Sequence, residues 1–376
     1  MRIAVPRETD AGEPRVGATP ETVKKLKSFG ADVAVARGAG IASGIPDAEF
    51  EAAGAQVADA VTKDADIVLK VRRPAPAELS EYKKGALVVA IMDPYGNETA
   101  LKAMADAGIA AFAMELMPRI TRAQSMDVLS SQANLAGYKA VIDAAAMFGQ
   151  ALPMMMTAAG TVPAAKAFIM GVGVAGLQAI ATARRLGAVV SASDVRPATK
   201  EQVASLGAKF IAVEDEEFKE AQTAAGYAKP MSAAYQKKQA ELVAAHIKGQ
   251  DIVITTALIP GRPAPRLITA AMVESMKPGS VIVDLAAERG GNCELTQPDN
   301  VVEHKGVSIV GPLNLAGEVA VNASSLYAKN LLAFLETMID KKEKALKVNW
   351  DDELIKGTLV ARDGKIVHPS LQHEGA

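Results

Sequence analysis

The chain is poor in the residues that mark several common classes of protein. Its single cysteine, Cys293, excludes an internal disulfide and fits a reducing compartment. Aromatic residues make up only 4% of the 376 residues while hydrophobic residues reach 49%, a balance that favours an Ala/Val/Ile-rich α/β protein over a β-sandwich. The net charge of −2 gives no electrostatic reason to expect binding to nucleic acid or to an anionic membrane.

The sequence also shows no apolar segment of the kind that enters a membrane or directs export. The start, M-R-I-A-V-P-R-E, predicts a strand and has no apolar h-region. The uncharged run from Ala167 to Ala183 is interrupted by glycines and is too short to span a bilayer comfortably. A length of 376 residues exceeds one ordinary core, so we expect a soluble chain of two domains.

The most informative stretch present is F-I-M-G-V-G-V-A-G-L-Q, residues 168–178. An apolar strand here meets Gly171, Gly173 and Gly176, and a helix-forming segment follows at once. The first glycine permits a tight turn, the second lets a pyrophosphate approach the backbone, and the third allows close packing of helix on strand. With the free N–H groups of a helix N-terminus behind it, this turn predicts a dinucleotide site. The alternative is a glycine turn kept only for packing.

An acidic residue is expected about twenty positions after such a turn, at the end of the second strand. The segment A-V-V-S-A-S-D supplies a strand that ends in Asp194. A carboxylate there would accept hydrogen bonds from both ribose hydroxyls and repel a 2′-phosphate, which favours NAD(H) over NADP(H). The positive charge of Arg196 keeps binding of NADP(H) open as an alternative.

The order of the remaining elements predicts an α/β fold with two Rossmann-like, doubly wound parallel-sheet domains and a nucleotide cleft between them. Strands alternate with helices before and after residue 135, as in parallel sheets that helices cover on both faces. Thr19 and Pro20 predict a helix start, and Asp363-Gly364 predicts a hairpin near the end of the chain. A helix from Val321 should return to the first domain. We therefore expect a discontinuous first domain, 1–134 plus 321–376, and an NAD(H)-binding domain, 135–320.

The segment from Glu214 to Lys238 is longer and more polar than a crossover requires. Gly226 and Pro230 disfavour a helix, whereas Tyr227, Met231 and Tyr235 are side chains able to close over a ligand. The segment is interpreted either as a mobile lid or as a solvated helix with an irregular start.

A polar stripe lies between the predicted domains, within residues 114–138. With Ser125 as N-cap, its side chains fall on one face of a helix: Asp127, Ser130 or Ser131, Asn134 and Tyr138. Small residues surround the stripe and indicate close approach by another backbone or a ligand: Ala133, Ala136, Gly137 and Ala140.

The chemistry that this stripe can support is limited by what it does not contain. Dehydrogenation of an alcohol or amine moves a proton as well as a hydride, usually through histidine, lysine or a tuned carboxylate. The histidines are all distant from the stripe in sequence: His246, His304, His368 and His373. Hydride transfer between two nicotinamide rings needs aligned rings and no proton. Arg119, Gln124, Asp127 and Ser130 suit that reaction.

With these residues in view, the chain resembles the NAD(H)-binding domain I, or α1 subunit, of proton-translocating nicotinamide nucleotide transhydrogenase. The most specific stretch is R-A-Q-S-M-D, within M-E-L-M-P-R-I-T-R-A-Q-S-M-D-V-L-S-S-Q-A-N-L-A-G-Y. Further motifs cover nearly the whole length: G-E-P-R-V, M-M-M-T-A-A-G-T-V-P, G-V-G-V-A-G-L-Q-A-I-A-T-A, D-V-R, G-Y-A-K, T-T-A-L-I-P-G and A-K-N-L-L.

The resemblance implies a homodimer that binds NAD(H) and needs partners for activity. A partner domain III would hold NADP(H), and a membrane domain II would translocate protons, which places the chain in the cytoplasm at the inner membrane. Arg119, Gln124, Asp127, Ser130 and Tyr138 would surround the nicotinamide. The nucleotide-binding residues implied by the motifs are Gly171, Gly173, Val174, Gly176, Asp194, Val195, Gly226, Tyr227, Ala257 and Leu258. No metal site is predicted.

Two other functions stay open. Alanine dehydrogenase, from the same superfamily, resembles this chain at Arg15 and Lys70, but Asp93 stands where that motif has a catalytic histidine. Its later aspartate is replaced by Glu288. The other alternative is a non-catalytic NAD(H)-sensing module.

Overall fold

The computed structural model describes residues 1–221, 229, 231–259 and 261–372. The described strands are β1 (Arg2–Val5), β2 (Asp32–Ala36), β3 (Gln56–Ala58), β4 (Ile67–Arg72), β5 (Leu87–Ile91), β6 (Ala110–Ala113), β7 (Met155–Thr157), β8 (Gly160–Val162), β9 (Lys166–Met170), β10 (Val189–Ser193), β11 (Lys209–Phe210), β12 (Ile252–Thr255), β13 (Val281–Asp284), β14 (Val301–His304), β15 (Val307–Val310), β16 (Ile339–Asp340), β17 (Ala345–Leu346), β18 (Leu359–Arg362) and β19 (Lys365–Ile366). The described helices are α1 (Pro20–Ser28), α2 (Asp47–Ala52), α3 (Glu98–Asp106), α4 (Val128–Met147), α5 (Val174–Arg185), α6 (Thr199–Ser205), α7 (Glu216–Lys219), α8 (Ala233–Ile247), α9 (Ala270–Glu274), α10 (Ala320–Leu335) and α11 (Glu353–Thr358).

The chain divides into two compact units. The first unit comprises Met1–Gln132 and Ala316–Ala376, and the second comprises Ala133–Leu315. The first unit is therefore built from both ends of the chain, and helix α4 carries the chain from the first unit into the second.

The first unit contains a sheet with strand order β19-β18-β6-β5-β4-β1-β2-β3. Strands β1 to β6 are parallel and follow the doubly wound order in which the chain starts at β1, moves outward to β3 and then returns to β4. The hairpin β18-β19 extends this sheet in the antiparallel direction. Its turn contains Asp363 and Gly364 with φ of 52° and 77°, which confirms the predicted hairpin.

Local sequence explains several elements of the first unit. Helix α1 begins where expected, because the Thr19 side chain accepts from the N–H of Thr22 and Pro20 occupies the first helical position. The hydrophobic core includes a cluster of rings in which Phe112 meets Phe334 edge-on, with centroids 5.6 Å apart, and stacks on Trp350 at 6.3 Å. Segments from the two ends of the chain therefore share one core.

The second unit contains a seven-stranded sheet with order β11-β10-β9-β12-β13-β15-β14. All neighbouring pairs are parallel except β14-β15. Its central strands are buried on both faces of the sheet, since every residue of β12 and of β13 is buried. The prediction of an α/β fold with two parallel-sheet domains is confirmed.

Some elements were not predicted. The antiparallel hairpin β7-β8 lies on the surface, with Met154, Met155 and Met156 exposed by 61%, 43% and 78%. Apolar side chains here face solvent, so the usual link between hydrophobicity and burial does not identify these strands. Among the described helices, none combines the length and apolar character needed to cross a membrane.

Candidate nucleotide-binding site

The second unit has a topological switch point at strand β9. The chain passes from β9 to β10 on one side and later returns to β12 on the other, so the loops that follow β9 and β12 diverge. In open α/β sheets, ligands bind in the crevice that forms at this point, beyond the carboxyl ends of the strands. The predicted glycine turn is the loop after β9 and therefore borders this crevice.

The glycine turn has the geometry that a phosphate site requires. Gly171 adopts φ of 97°, which L side chains rarely adopt, and a Cβ at Gly176 would lie 1.9 Å from the carbonyl oxygen of Gly171. A Cβ at Gly173 would meet no described atom within 4 Å, so open space lies beside that backbone. Helix α5 begins at Val174, with Gly173 as its N-cap and no side-chain cap. The first N–H groups of α5 can therefore donate hydrogen bonds to an anion.

Asp194 lies directly after β10, but its carboxylate already has several partners. Oδ2 accepts from the N–H of Val172 at 2.8 Å and from Nη2 of Arg196 at 2.8 Å. Oδ1 accepts from the backbone N–H and from Nε of Arg196, both at 2.9 Å. The hydrogen bond with Asp194 raises the pKa of the Arg196 guanidinium. In this structure Asp194 therefore stabilises the glycine turn through its hydrogen bond to Val172. A bound ribose would donate to a carboxylate that also accepts from Arg196.

Arg196 and Thr256 were not predicted as structural parts of this crevice. Nη2 of Arg196 also donates to the carbonyl oxygen of Val172 at 3.1 Å, so the Asp194–Arg196 pair contacts both polar groups of that residue. On the other side of β9, Oγ1 of Thr256 donates to the carbonyl oxygen of Gly171 at 2.9 Å. The D-V-R and T-T-A-L motifs were the available signals, since each lies at the end of an apolar, strand-like segment.

Ala257 and Leu258, the nucleotide-binding residues implied by the T-T-A-L-I-P-G motif, lie on the loop after β12. The N–H of Thr256 donates to the carbonyl oxygen of Met170 at 2.8 Å and continues the pairing of β12 with β9. The Leu258 side chain is 53% exposed. The structure thus places the loops that carry Gly171, Asp194 and Ala257 at the carboxyl ends of three adjacent strands. Val195 lies between Asp194 and Arg196 and is partly buried.

The predicted nicotinamide residues Arg119, Gln124, Asp127 and Ser130 all lie in the first unit. Arg119 is exposed, and Gln124 is exposed on a 3₁₀ helix, Thr121–Met126. Asp127 and Ser130 form a pair, because Oγ of Ser130 donates to Oδ2 of Asp127 at 2.5 Å. Tyr138 lies about three turns along α4, in the second unit, and is 40% exposed.

The expected N-cap at Ser125 is wrong. Helix α4 begins at Val128, and the backbone N–H of Ser130 donates to Oδ1 of Asp127 at 2.9 Å, which makes Asp127 the capping residue. The carbonyl oxygen of Ser125 instead accepts from Nδ2 of Asn330 on α10 at 2.8 Å. Ser125 itself belongs to the 3₁₀ turn that precedes α4, and this contact helps to hold that turn.

The close approach predicted from the small residues of α4 is present within the second unit. A Cβ at Gly137 would lie 2.1 Å from the carbonyl oxygen of Ala175 at the start of α5. Nδ2 of Asn134 contacts Oε1 of Gln178 at 3.4 Å. The small residues thus accommodate another backbone, the first turn of the helix that follows the glycine turn.

The lid prediction is tested only in part. Gly226 and Tyr227 lie outside the described residues. Tyr235 is wrong as a lid residue: its side chain is buried in the first turn of α8, and its hydroxyl donates to the carbonyl oxygen of Val213 at 3.1 Å.

Arg15 and Lys70, the residues shared with alanine dehydrogenase, are buried and paired inside the first unit. Arg15 donates to Glu13 from Nε at 2.7 Å and from Nη2 at 2.6 Å. Nζ of Lys70 donates to Glu78 at 2.9 Å and lies 3.6 Å from Glu8. Burial raises the pKa of Glu8 to about 7, against the opposing charge of Lys70. Both cations are therefore partnered by carboxylates of the chain itself.

The described histidines have structural partners. Nε2 of His246 lies 2.8 Å from Oγ of Ser191, and its ring packs edge-on against Phe168 with centroids 4.8 Å apart. His304 pairs with Glu274, and His368 contacts the carbonyl oxygen of Gly357. His373 lies outside the described residues.

A doubly wound sheet with a glycine turn at its switch point makes this a Rossmann-type α/β protein. Two family models match it: the alanine dehydrogenase/PNT N-terminal domain over residues 4–136 and the alanine dehydrogenase/PNT C-terminal domain over residues 140–369. The chain belongs to the alanine dehydrogenase/PNT family.

Relatives of two kinds match over nearly the whole chain. The alpha-subunit first segment of the NAD(P) transhydrogenase of Rhodospirillum rubrum is 55% identical over 384 aligned residues, covering 100% of both chains. A solved transhydrogenase structure from Sinorhizobium meliloti has 64% identity and a TM-score of 0.90, and the match covers 98% of this chain and 100% of that one. Alanine dehydrogenase of Halomonas elongata is 30% identical, covering 99% of this chain and 96% of that protein. These matches confirm the resemblance to transhydrogenase that the motifs predict.

Proposed function

We propose that this chain is the NAD(H)-binding subunit of a proton-translocating NAD(P) transhydrogenase, which passes a hydride directly from NADH to NADP⁺ held by a partner domain. The observation that carries the proposal is the 55% identity, over the full length of both chains, to the first segment of a transhydrogenase alpha subunit. The glycine turn at the switch point of the second unit supports it independently, because its free N–H groups can bind a phosphate.

In the proposed mode of binding, the pyrophosphate lies against Gly173 and the free N–H groups of α5. There the backbone is open and the partial positive charge of the helix favours an anion. Asp194 accepts from the adenosine ribose while it keeps its bonds to Arg196. The nicotinamide half then extends across the switch point to Ala257 and Leu258, on the loop after β12.

The transferred hydride moves from C4 of the NADH ring to C4 of the NADP⁺ ring, so the products are NAD⁺ and NADPH. No proton is exchanged at either carbon, and the protein needs to align the rings and exclude water. The residues proposed to surround the nicotinamide are Arg119, Gln124, Asp127, Ser130 and Tyr138. Gln124, an exposed neutral amide, is the residue proposed to lie nearest the facing ring.

The proposed assembly includes a second copy of the chain, a domain III that binds NADP(H) and a membrane domain II that translocates protons. The exposed methionines Met154, Met155 and Met156 support an interface with one of these partners, since exposed apolar side chains close together on a surface commonly mark an interface. Through these partners the chain would lie at the cytoplasmic face of the inner membrane.

A stopped-flow experiment tests the reaction. The purified chain is loaded with the 3-acetylpyridine analogue of NAD⁺, whose reduced form absorbs apart from NADPH, and mixed with a transhydrogenase domain III loaded with NADPH. Rapid reduction of the analogue is expected only when both proteins are present, and each protein alone is the control. Binding of the analogue without transfer would instead favour the NAD(H)-sensing module.

Alanine dehydrogenase remains the second candidate, because a relative with that name is 30% identical over nearly the full length. Its test is the oxidation of NADH by the chain alone in the presence of pyruvate and ammonia. The ion pairs of Arg15 and Lys70 with Glu13 and Glu78 argue against it, since both cations already have carboxylate partners. Turnover in this assay would overturn the transhydrogenase proposal.

A further inference from the structure

The side chain of Asn292 forms a two-point contact with the peptide groups of Ala257. Oδ1 of Asn292 accepts from the backbone N–H of Ala257 at 3.0 Å, and Nδ2 donates to the carbonyl oxygen of Ala257 at 2.9 Å. Nδ2 also donates to the carbonyl oxygen of Pro265 at 2.8 Å. The reversed amide would face the Ala257 N–H with a donor and two carbonyls with an acceptor, so the partners determine its orientation.

Asn292 is itself held in place from several directions. The residue is fully buried, and its carbonyl oxygen accepts from the N–H groups of Leu267 and Ile268 at 2.7 and 3.0 Å. The next residue, Cys293, donates its N–H to Oδ2 of the buried Asp284 at 2.9 Å. The carboxamide thus belongs to a rigid part of the second unit, whereas Leu258, next to the peptide it holds, is 53% exposed.

Ala257 occupies a particular side of the crevice. Its neighbour Thr256 bonds to Gly171 in the glycine turn, and β12 flanks β9 on the side opposite to β10. Asp194, proposed to bind the adenosine ribose, follows β10. A dinucleotide spans the switch point with one mononucleotide half on each side. The nicotinamide half therefore lies over the loop that Asn292 holds.

We infer that Asn292 is a positioning residue for the nicotinamide half of the bound nucleotide, acting through the backbone of Ala257. The inference rests on the proposed nucleotide site. Asn292 does not contact the nucleotide in this arrangement. Its side chain keeps the Ala257 peptide in one orientation. The adenosine half, bound beyond Gly173 and Asp194, does not depend on it.

The substitution Asn292→Asp tests this with little change in shape. A carboxylate can still accept from the Ala257 N–H, but it cannot donate to the carbonyl oxygens of Ala257 and Pro265, which then face negative charge. The matched control is Asn300→Asp in the same unit, because the Asn300 amide is exposed and donates to the carbonyl oxygen of Pro298 at 2.8 Å.

The measurement compares two ligands, NADH and ADP-ribose, by titration of each variant. ADP-ribose has the adenosine and pyrophosphate groups and lacks the nicotinamide ring. For Asn292→Asp the dissociation constant of NADH should rise about tenfold or more, while that of ADP-ribose should change less than about twofold. Asn300→Asp should leave both constants within about twofold of the wild-type values.

Equal weakening of both ligands would overturn the inference, because it would show general damage to the unit. Unchanged NADH affinity would overturn it as well. Hydrogen exchange of the β9 and β12 amides reports whether the sheet is intact. If Asn292→Asp does not fold, Asn292→Ser takes its place, because it removes the amide donors without adding a charge. The same two outcomes would overturn the inference for that variant. If the wild-type chain binds neither ligand, the proposed nucleotide site itself fails.

Discussion

The hydroxyl group of Tyr327 donates a hydrogen bond of 2.8 Å to the carbonyl oxygen of Lys70. The two residues are 257 positions apart in the chain, and the bond is fully buried. Tyr327 lies on α10, whereas Lys70 lies in β4, near the middle of the first sheet. This bond attaches the C-terminal segment to the core formed by the N-terminal segment and helps to make one unit of both.

Tyr327→Phe should therefore lower the free energy of unfolding by about 1–2 kcal/mol, the usual effect of losing one buried hydrogen bond at constant shape. Urea unfolding followed by the fluorescence of Trp350, the single tryptophan of the chain, measures the change in the first unit. Tyr95→Phe is the control, because the Tyr95 hydroxyl makes an exposed contact of 3.3 Å with Ser370. Equal effects of the two substitutions would argue against a stabilising role for the buried bond.

Glu115 predicts a specific pH dependence of stability. Burial raises the pKa of its carboxyl from 4.5 to about 7, although it accepts hydrogen bonds from the backbone N–H groups of Met92 and Asp93. The folded protein thus holds this proton more tightly than the unfolded chain does. Its contribution to stability is complete below pH 4.5 and is lost as the pH rises through about 7.

Glu115→Gln should remove this dependence. The difference in unfolding free energy between wild type and variant should fall by on the order of 2–3 kcal/mol from about pH 4.5 to neutrality. Urea titrations at a series of pH values measure it. The pKa of Glu8 is raised in the same direction. Glu8 is present in both proteins, so its contribution cancels in the difference between their unfolding free energies. A difference that stays constant with pH would show that Glu115 does not titrate in this range.

Gly137→Ala should destabilise the second unit by about 1–3 kcal/mol, because the added methyl group would lie 2.1 Å from the carbonyl oxygen of Ala175 and must push α4 from α5. Thermal unfolding followed by circular dichroism measures the loss. Gly149→Ala is the matched control, since a Cβ there meets no described atom within 4 Å. If both variants unfold at the wild-type temperature, the two helices do not pack this closely.

Asp194→Ala should weaken NADH binding by on the order of 1–3 kcal/mol, because it removes the ribose acceptor and one brace of the glycine turn. NADPH should lose less affinity than NADH, since Arg196 would be released to meet a 2′-phosphate. Fluorescence titration with both nucleotides measures the preference. Glu201→Ala, which removes an exposed carboxylate from α6 of the same unit, is the control. Unchanged NADH affinity would eliminate Asp194 as the ribose ligand.

Gln124→Asn should preserve NADH affinity and slow hydride transfer, because a side chain shorter by one methylene disturbs ring placement more than binding. Single-turnover transfer to a loaded domain III gives the rate, and NADH titration gives the affinity. Gln202→Asn, the same change at an exposed position on α6, is the control. A transfer rate equal to that of wild type would remove Gln124 from the site.

Elements with strong local signals were predictable. The cap formed by Thr19 and the turn at Asp363-Gly364 depend on residues close in sequence, and both are present. The wrong N-cap at Ser125 shows the limit of this reasoning. Serine and aspartate are both good caps, and Ser125 lies instead in a 3₁₀ turn that Asn330 contacts from 205 residues away.

The sequence by itself determined the fold class, the position of the glycine turn and the family, because these depend on periodicity and on short motifs whose residues act locally. The tertiary structure alone decided the partners of polar groups that lie far apart in the chain. It brings the Asp194 carboxylate to the N–H of Val172, Glu8 to Lys70, and the Asn292 side chain to the Ala257 peptide. The physical reason is that a hydrogen bond requires two groups to meet within about 3 Å, and for groups far apart in the chain only the packing of strands and helices determines which ones do.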